Sequence, residues 1–216
     1  MMKTGLLFDL DGTLLNTLED LMDATNYALE ACGYPTRTLQ QIREVVGNGA
    51  ANQIRKSLPL GTEESEVQRV LDVYKPYYTA HCQVKTAPYP GIHGALEVLT
   101  RKYPVAIVSN KPDSAVKALC ADWFPGIYAL GESSDCPRKP APDMVYKAMA
   151  AIGAEGCIYI GDSEVDILTA RNAGVSCLSV TWGFRDEEEL IAAGGTDFCA
   201  ETGRMADKIE EMIHGQ

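Results

Sequence analysis

With 216 residues, 46% of them hydrophobic and 23% charged, the chain can bury a core of its own and has the length of one domain carrying an insertion. Its formal charge of −11 repels nucleic-acid backbone and anionic membrane alike, so neither is an expected partner. The seven cysteines are an odd number, widely spaced and without a C-x-x-C pair, and they read as reduced core residues of a cytoplasmic protein rather than a disulfide framework.

The chain opens on a short apolar run carrying a single Lys, which is neither a signal peptide nor a membrane span. Gly5 to Leu10 is a predicted strand that leads straight into Asp9 and Asp11, with Gly12 allowing a tight turn and Thr13 offering a hydroxyl. Alone, an Asp-x-Asp is an ordinary turn, but two carboxylates this close want a cation or a proton between them. The pattern then becomes helical, with Leu18, Leu21, Met22, Thr25, Ala28, Leu29 and Cys32 on one face before Gly33 stops it. Thr38 with Gln41 forms a capping box for a second helix, which ends at Gly47-Asn48-Gly49. A third runs from Ala50 to Leu58, and Ser65 with Gln68 caps a fourth reaching Cys82, which Pro76 should kink or interrupt.

From Tyr89-Pro90-Gly91 onward the period changes. Helix Ile92 to Arg101, strand Val105 to Val108, helix Ser114 to Ala121 and strand Ile127 to Leu130 alternate. Helix Asp143 to Ile152, strand Cys157 to Ile160, helix Glu164 to Ala173, strand Cys177 to Val180 and helices near Glu187 and Ala206 continue the series. Such alternation implies an α/β fold with a parallel sheet to which the first strand belongs. The helical block is then an insertion: residues 1–15 and 88–216 make the α/β core and 16–87 the inserted helices, joined near Asn16 and Thr86 to Pro90.

Four polar clusters stand at element ends. Asp9-x-Asp11-Gly12-Thr13 follows the first strand, Ser109-Asn110-Lys111 follows the run from Val105 to Val108, Lys139-Pro140-Ala141-Pro142 precedes a helix, and Gly161-Asp162-x-x-x-Asp166 follows Cys157 to Ile160. Open α/β sheets collect their ligands at the carboxyl ends of strands, where three of these clusters fall.

In these motifs the chain resembles the haloacid dehalogenase (HAD) superfamily of phosphatases, and most of all its phosphoglycolate phosphatase branch. The resemblance runs from Leu6 to about Gly183. One position departs: Asn16 stands where an Asp or Glu often follows the first motif. The resemblance implies a Rossmann-like core with an α-helical cap inserted after that motif. It makes Asp9 the nucleophile that forms an aspartyl phosphate and Asp11 the general acid and base. It implies Mg²⁺ held by the Asp9 carboxylate, the Asp11 backbone carbonyl and the Asp162 carboxylate, with Asp166 in support. Gly12, Thr13, Ser109, the Asn110 amide and Lys139 would bind the phosphoryl group. A dehalogenase activity is disfavoured because Asp11 is present.

Substrate choice would fall to the cap, where Gly47-Asn48-Gly49, with Arg43 and Arg55 flanking it, either holds a carboxylate or simply joins two helices. Leu15 and Asn16 could also shape the pocket. The expected activity is Mg²⁺-dependent hydrolysis of a small phosphorylated metabolite such as phosphoglycolate by a monomer or homodimer. The same motifs serve sugar phosphomutases and inorganic pyrophosphatases. A receiver-like signalling module also clusters Asp, hydroxyl and Lys around Mg²⁺, but it lacks an insertion, and Asp11 fits turnover better than storage of a phosphoryl group.

Overall fold

The computed structural model describes residues 3–215, so Met1, Met2 and Gln216 of the expected core lie outside the described residues. The chain divides into two compact units, one formed by the residues up to Leu15 together with those from Pro88 onward, the other by Asn16–Ala87. In chain order, β1 (Thr4–Phe8) and β2 (Leu15–Asn16) are followed by α1 (Leu18–Ala31), α2 (Leu39–Val45), α3 (Ala50–Ser57) and α4 (Glu64–His81). After β3 (Ala87–Pro88) come α5 (Ile92–Thr100), β4 (Val105–Pro112), α6 (Asp113–Trp123), β5 (Tyr128–Glu132) and α7 (Asp143–Ile152). The chain closes with β6 (Gly156–Gly161), α8 (Glu164–Ala173), β7 (Ser176–Val180), α9 (Glu187–Ala192), β8 (Asp197–Cys199) and α10 (Met205–His214).

Six strands form one parallel sheet in the order β5-β4-β1-β6-β7-β8, and β2 pairs with β3. Strand parity sends Leu6 and Phe8 to one face and Leu7 to the other. On the first face they pack with Leu96 and Leu99 of α5, Val116 and Leu119 of α6, and Met205 and Ile209 of α10. Leu7 packs with Met144, Val145 and Ala148 of α7 and Ala170 of α8. Helices on both faces explain why the strands read as continuous apolar runs rather than alternating ones. Each of the Leu, Ile, Val, Phe and Met side chains contributes about 1.5–3 kcal/mol on burial. Strand order decides where a ligand can sit. The chain runs from β1 outward through β4 to β5, then returns to the other side of β1 for β6, β7 and β8, so the switch point falls at β1 between β4 and β6.

The helical unit buries Leu21, Ala24, Ala28 and Leu29 of α1 with Ile42, Ile54, Val67, Val70, Tyr74 and Tyr78. Its polar interior is satisfied where α1 meets α3: Gln53 Nε2 donates to Thr25 Oγ1 at 2.8 Å, and that hydroxyl donates to the Leu21 carbonyl at 2.7 Å. The capping box of α2 is the one expected, Thr38 with Gln41. One expectation for α4 does not hold, and half of another does not. The helix begins at Glu64 with Glu63 as its N-cap, so Ser65 lies inside the first turn rather than capping it. Pro76 does not interrupt α4: it sits on the exposed face while Val70, Leu71, Tyr74 and Tyr78 stay buried along the opposite one. Burial there offsets the ~3 kcal/mol penalty of an internal proline.

Asp20 is buried at the start of α1, and its carboxylate accepts the Lys85 and Thr86 backbone N–H groups at 3.0 and 2.8 Å. No helix among the described residues is long and apolar enough to cross a membrane. Removing the Asp20 carboxylate orphans two backbone donors, so Asp20→Ala should destabilise the helical unit by about 1–3 kcal/mol. Urea unfolding followed by far-ultraviolet circular dichroism measures this, and an unchanged midpoint would show that water takes over both donors.

Candidate functional site

The carboxyl ends of β1, β4 and β6 meet at the switch point and bring together Asp9, Asp11, Gly12, Thr13, Ser109, Asn110, Lys139, Asp162 and Asp166. The Asp9 N–H donates to the Ile160 carbonyl at 2.8 Å, which carries the pairing of β1 with β6 one residue past the strand. The chain then turns at Gly12, whose φ of +88° belongs to the left-handed region. A Cβ there would also collide with the Asp162 carboxylate. Glycine is therefore needed both for the turn and for the approach of the first motif to the fourth.

Lys139 sits at the centre, only 2% exposed. Its Nζ donates to Asp9 Oδ1 at 2.7 Å, to Asp166 Oδ1 at 2.8 Å and to the Tyr159 hydroxyl at 3.1 Å. Asn110 fixes the backbone beneath it: Nδ2 donates to the Lys139 carbonyl at 3.0 Å, and Oδ1 accepts the Lys139 N–H at 2.8 Å. The Asn110 carboxamide thus holds the lysine loop. Asp166 is engaged at both oxygens, because Oδ2 accepts the Ser163 hydroxyl at 2.6 Å and the Ser163 N–H at 3.1 Å. Asp162 accepts Thr13 Oγ1 at 3.0 Å and the Phe184 N–H at 2.7 Å.

One ammonium among several buried carboxylates sets the electrostatics. Burial opposes the charged form of Lys139, but Asp166 and Asp9 outweigh it and hold its pKa well above the ordinary value. Burial, and then Asp166 and Asp162 against the pull of Lys139, raises Asp9 well above the usual carboxylate range. Burial and the neighbouring Asp166 push Asp162 up to about 7, although the Phe184 N–H, Thr13 and Arg185 all oppose that rise. Asp9, Asp162 and Asp166 each offer an oxygen, all within 4.8 Å of one another. Hard oxygen donors holding excess negative charge out of water are what a divalent cation such as Mg²⁺ fits.

The loop after β7 is a part of the site that the motifs do not reveal. Trp182 Nε1 donates to the Thr13 carbonyl at 3.0 Å, and buried Arg185 pairs with Glu164 at 2.9 Å. A Cβ on Gly183 would strike the Asp162 side chain and the Gly12 carbonyl. The signal available in the sequence was positional: this polar loop also follows a parallel strand. Lys111, which the second motif carries without an assigned role, is buried and lies 3.0 Å from Asp11 Oδ1.

The remaining expected residues lie in the helical unit. Gly49 is the N-cap of α3 with φ +77°, and Asn48 precedes it. The Arg55 guanidinium bonds both oxygens of Glu64, at 2.6 and 2.8 Å, so its charge is already partnered within that unit. All seven cysteines are free thiols, and burial pushes Cys120, Cys157 and Cys177 up to about 12, which leaves them inert as nucleophiles.

A family model described as haloacid dehalogenase-like hydrolase matches residues 6–180. A phosphoglycolate phosphatase of Rhodobacter capsulatus is 36% identical over 193 residues, covering 85% of this chain and 87% of that one. A phosphoglycolate phosphatase of Pseudomonas fluorescens is 32% identical over 97% of this chain and 78% of its own length. A solved structure from Lactobacillus delbrueckii subsp. bulgaricus, provisionally named a phosphoglycolate phosphatase, superposes with a TM-score of 0.89 at 39% identity over the whole of both chains.

Gly183→Ala should cost about 1–3 kcal/mol, because overpacking against Asp162 and the Gly12 carbonyl forces backbone to move. Chemical denaturation checks it, and a neutral effect would mean that the loop yields freely. Asp162 also predicts a pH dependence. Its folded-state value of about 7 stands above its ordinary 3.8, so in metal-free protein the ionised form is disfavoured by folding and stability falls as pH rises through that window. A divalent cation needs the ionised form. Mg²⁺ should therefore raise the melting temperature more at pH 8 than at pH 5.5; an equal shift at both would separate cation binding from this cluster.

Proposed function

The chain belongs to the haloacid dehalogenase-like hydrolases and is a phosphatase, and we propose that it hydrolyses a small phosphorylated carboxylate of the phosphoglycolate type. The observation that carries this reading is the Asp9 carboxylate at the end of β1, held by the buried Lys139 ammonium with Asp11 two residues on. Phosphoglycolate phosphatases among the relatives support the substrate class.

A phosphate monoester dianion repels nucleophiles, so catalysis is mainly positioning and charge neutralisation. Asp9 attacks phosphorus, forming an O–P bond as the ester P–O bond breaks. Asp11 gives its proton to the departing alkoxide. In the second half Asp11 takes a proton from water, whose oxygen bonds phosphorus as the acyl phosphate O–P bond breaks, returning free Asp9 and inorganic phosphate. Lys139 orients Asp9 and meets phosphoryl charge, and Gly12, Thr13, Ser109 and Asn110 line the phosphate with backbone or hydroxyl donors. Mg²⁺ held by Asp9, Asp162 and the Asp11 carbonyl would supply the charge that offsets repulsion between carboxylate and dianion. Asp166, engaged by Lys139 and Ser163, supports the lysine.

These groups handle only the phosphoryl end. We assign recognition of the substrate's carboxylate to the helical unit as a cap, at Gly47-Asn48-Gly49, where backbone donors and an amide suit an anion. Arg55 is the weaker candidate there because Glu64 already occupies it.

A panel of phosphate monoesters, sugar 1-phosphates and pyrophosphate, assayed with Mg²⁺, tests the reading. The expected result is the highest kcat/KM for 2-phosphoglycolate, abolition by Asp9→Asn, and a larger loss in Asn48→Ala for that ester than for p-nitrophenyl phosphate. Preference for pyrophosphate, or phosphate transfer between sugar hydroxyls, would replace the reading with a pyrophosphatase or a mutase.

A further inference from the structure

Lys111 has no part in that chemistry, yet the fold places it with care. Its side chain is 3% exposed, and Nζ lies 3.0 Å from Oδ1 of Asp11, whose side chain is 17% exposed. The Lys111 N–H donates to Ser109 Oγ at 3.2 Å, and the residue falls where β4 and β5 shift register, between Val108 and Pro112. A desolvated ammonium is costly unless it is paired, so this geometry reflects a specific use of the charge. The two buried lysines at the site divide the carboxylates between them: Lys139 holds Asp9 and Asp166, and Lys111 holds Asp11.

We propose that Lys111 is a positioning residue for proton transfer, fixing the Asp11 side chain where it delivers its proton to the leaving oxygen. The inference rests on the assignment of Asp11 as proton donor. Asp11 follows the strand, in a turn, where its side chain would otherwise sample several rotamers. An ammonium anchored on β4 ties the Oδ1 atom of that carboxyl group and so limits the rotamers it can adopt. Misplacement of a reacting group by about 1 Å can cost 10²-fold, which sets the scale for losing this anchor. Were Lys111 instead a phosphate ligand, every ester would suffer alike.

Leaving-group dependence separates these roles. Across aryl phosphates from p-nitrophenyl to phenyl, the phenolate departs with progressively greater need of a proton, and kcat/KM reports the steps through its departure. Lys111→Met should lower kcat/KM about threefold for p-nitrophenyl phosphate and about 30-fold for phenyl phosphate, within the span of general-acid effects. Lys111→Arg, which keeps the charge, should recover most of the difference, and it carries the test with Lys111→Gln where Lys111→Met does not fold. Asp11→Asn should steepen the series by itself, and adding Lys111→Met to it should cost little more, since both act on one step. Equal losses across the series, or full additivity with Asp11→Asn, would overturn the inference. If Asp11→Asn leaves the slope unchanged, the proton-donor assignment falls and takes the inference with it. If Asp11→Asn steepens the slope and the Lys111 variants do not, only the role of Lys111 falls.

Discussion

The site depends on one ammonium held out of water by three neighbours. Lys139 bonds Asp9, Asp166 and the Tyr159 hydroxyl, and each partner comes from a different stretch of chain. Breaking a buried pair by removing one member costs about 3–5 kcal/mol, because the other charge is left without compensation. The lysine therefore fastens the loop before α7 to the ends of β1 and β6 as well as orienting the Asp9 carboxylate, the nucleophile proposed above. Asn110 completes the fastening from β4 by taking both backbone groups of Lys139. A loop so anchored leaves the Asp9 carboxylate little freedom, and preorganisation of this kind is where an enzyme of phosphoryl transfer gains most of its rate.

The sheet order is what lets those pieces meet. With β1 flanked by β4 and β6, the first, second and fourth motifs emerge side by side although over ninety residues separate Asp11 from Ser109. An insertion between β1 and β4 does not disturb this, because the pairings that matter lie within the sheet, at Leu6 with Val105 and with Ile158. The helical unit closes on itself through the Asp20 carboxylate and the Lys85 and Thr86 N–H groups. The core and the insertion are thus locally specified, each by its own contacts.

Most core strands and helices were legible because their signals are local: apolar runs, a capping box at Thr38 and Gln41, and glycines past helix ends. Strand β8 was missed, since Asp197–Cys199 is three residues with one charged and carries too little pattern to separate from loop. Pro76 does not end α4, because its penalty is local while the burial that offsets it comes from residues on the far face of the helix. At the site, the motif residues were legible as types at spacings, but their partners were not. Nothing in the order of residues says that Asn110 serves Lys139, that Gly183 must be bare to admit Asp162, or that Lys111 reaches Asp11; these are long-range contacts made by the fold.

The balance of charge at the centre gives a physical reason for the cation in the proposed chemistry. Asp9, Asp11, Asp162 and Asp166 face Lys111 and Lys139, and nearby Arg185 is matched by Glu164, so carboxyl groups outnumber the cationic side chains set against them by two before any substrate enters. Burial first, and then the neighbouring Asp166, raises Asp162 to about 7 in that setting. A phosphate dianion would bring two more negative charges into a chain that already carries −11 overall. Protonating the carboxylates would relieve the repulsion but would also remove the proposed nucleophile, since a carboxylate attacks phosphorus only in its ionised form. On the function proposed above, a divalent cation would resolve the conflict by favouring the ionised carboxylates and the bound dianion together, so that the same crowding of carboxylates would become a source of affinity for metal and phosphate.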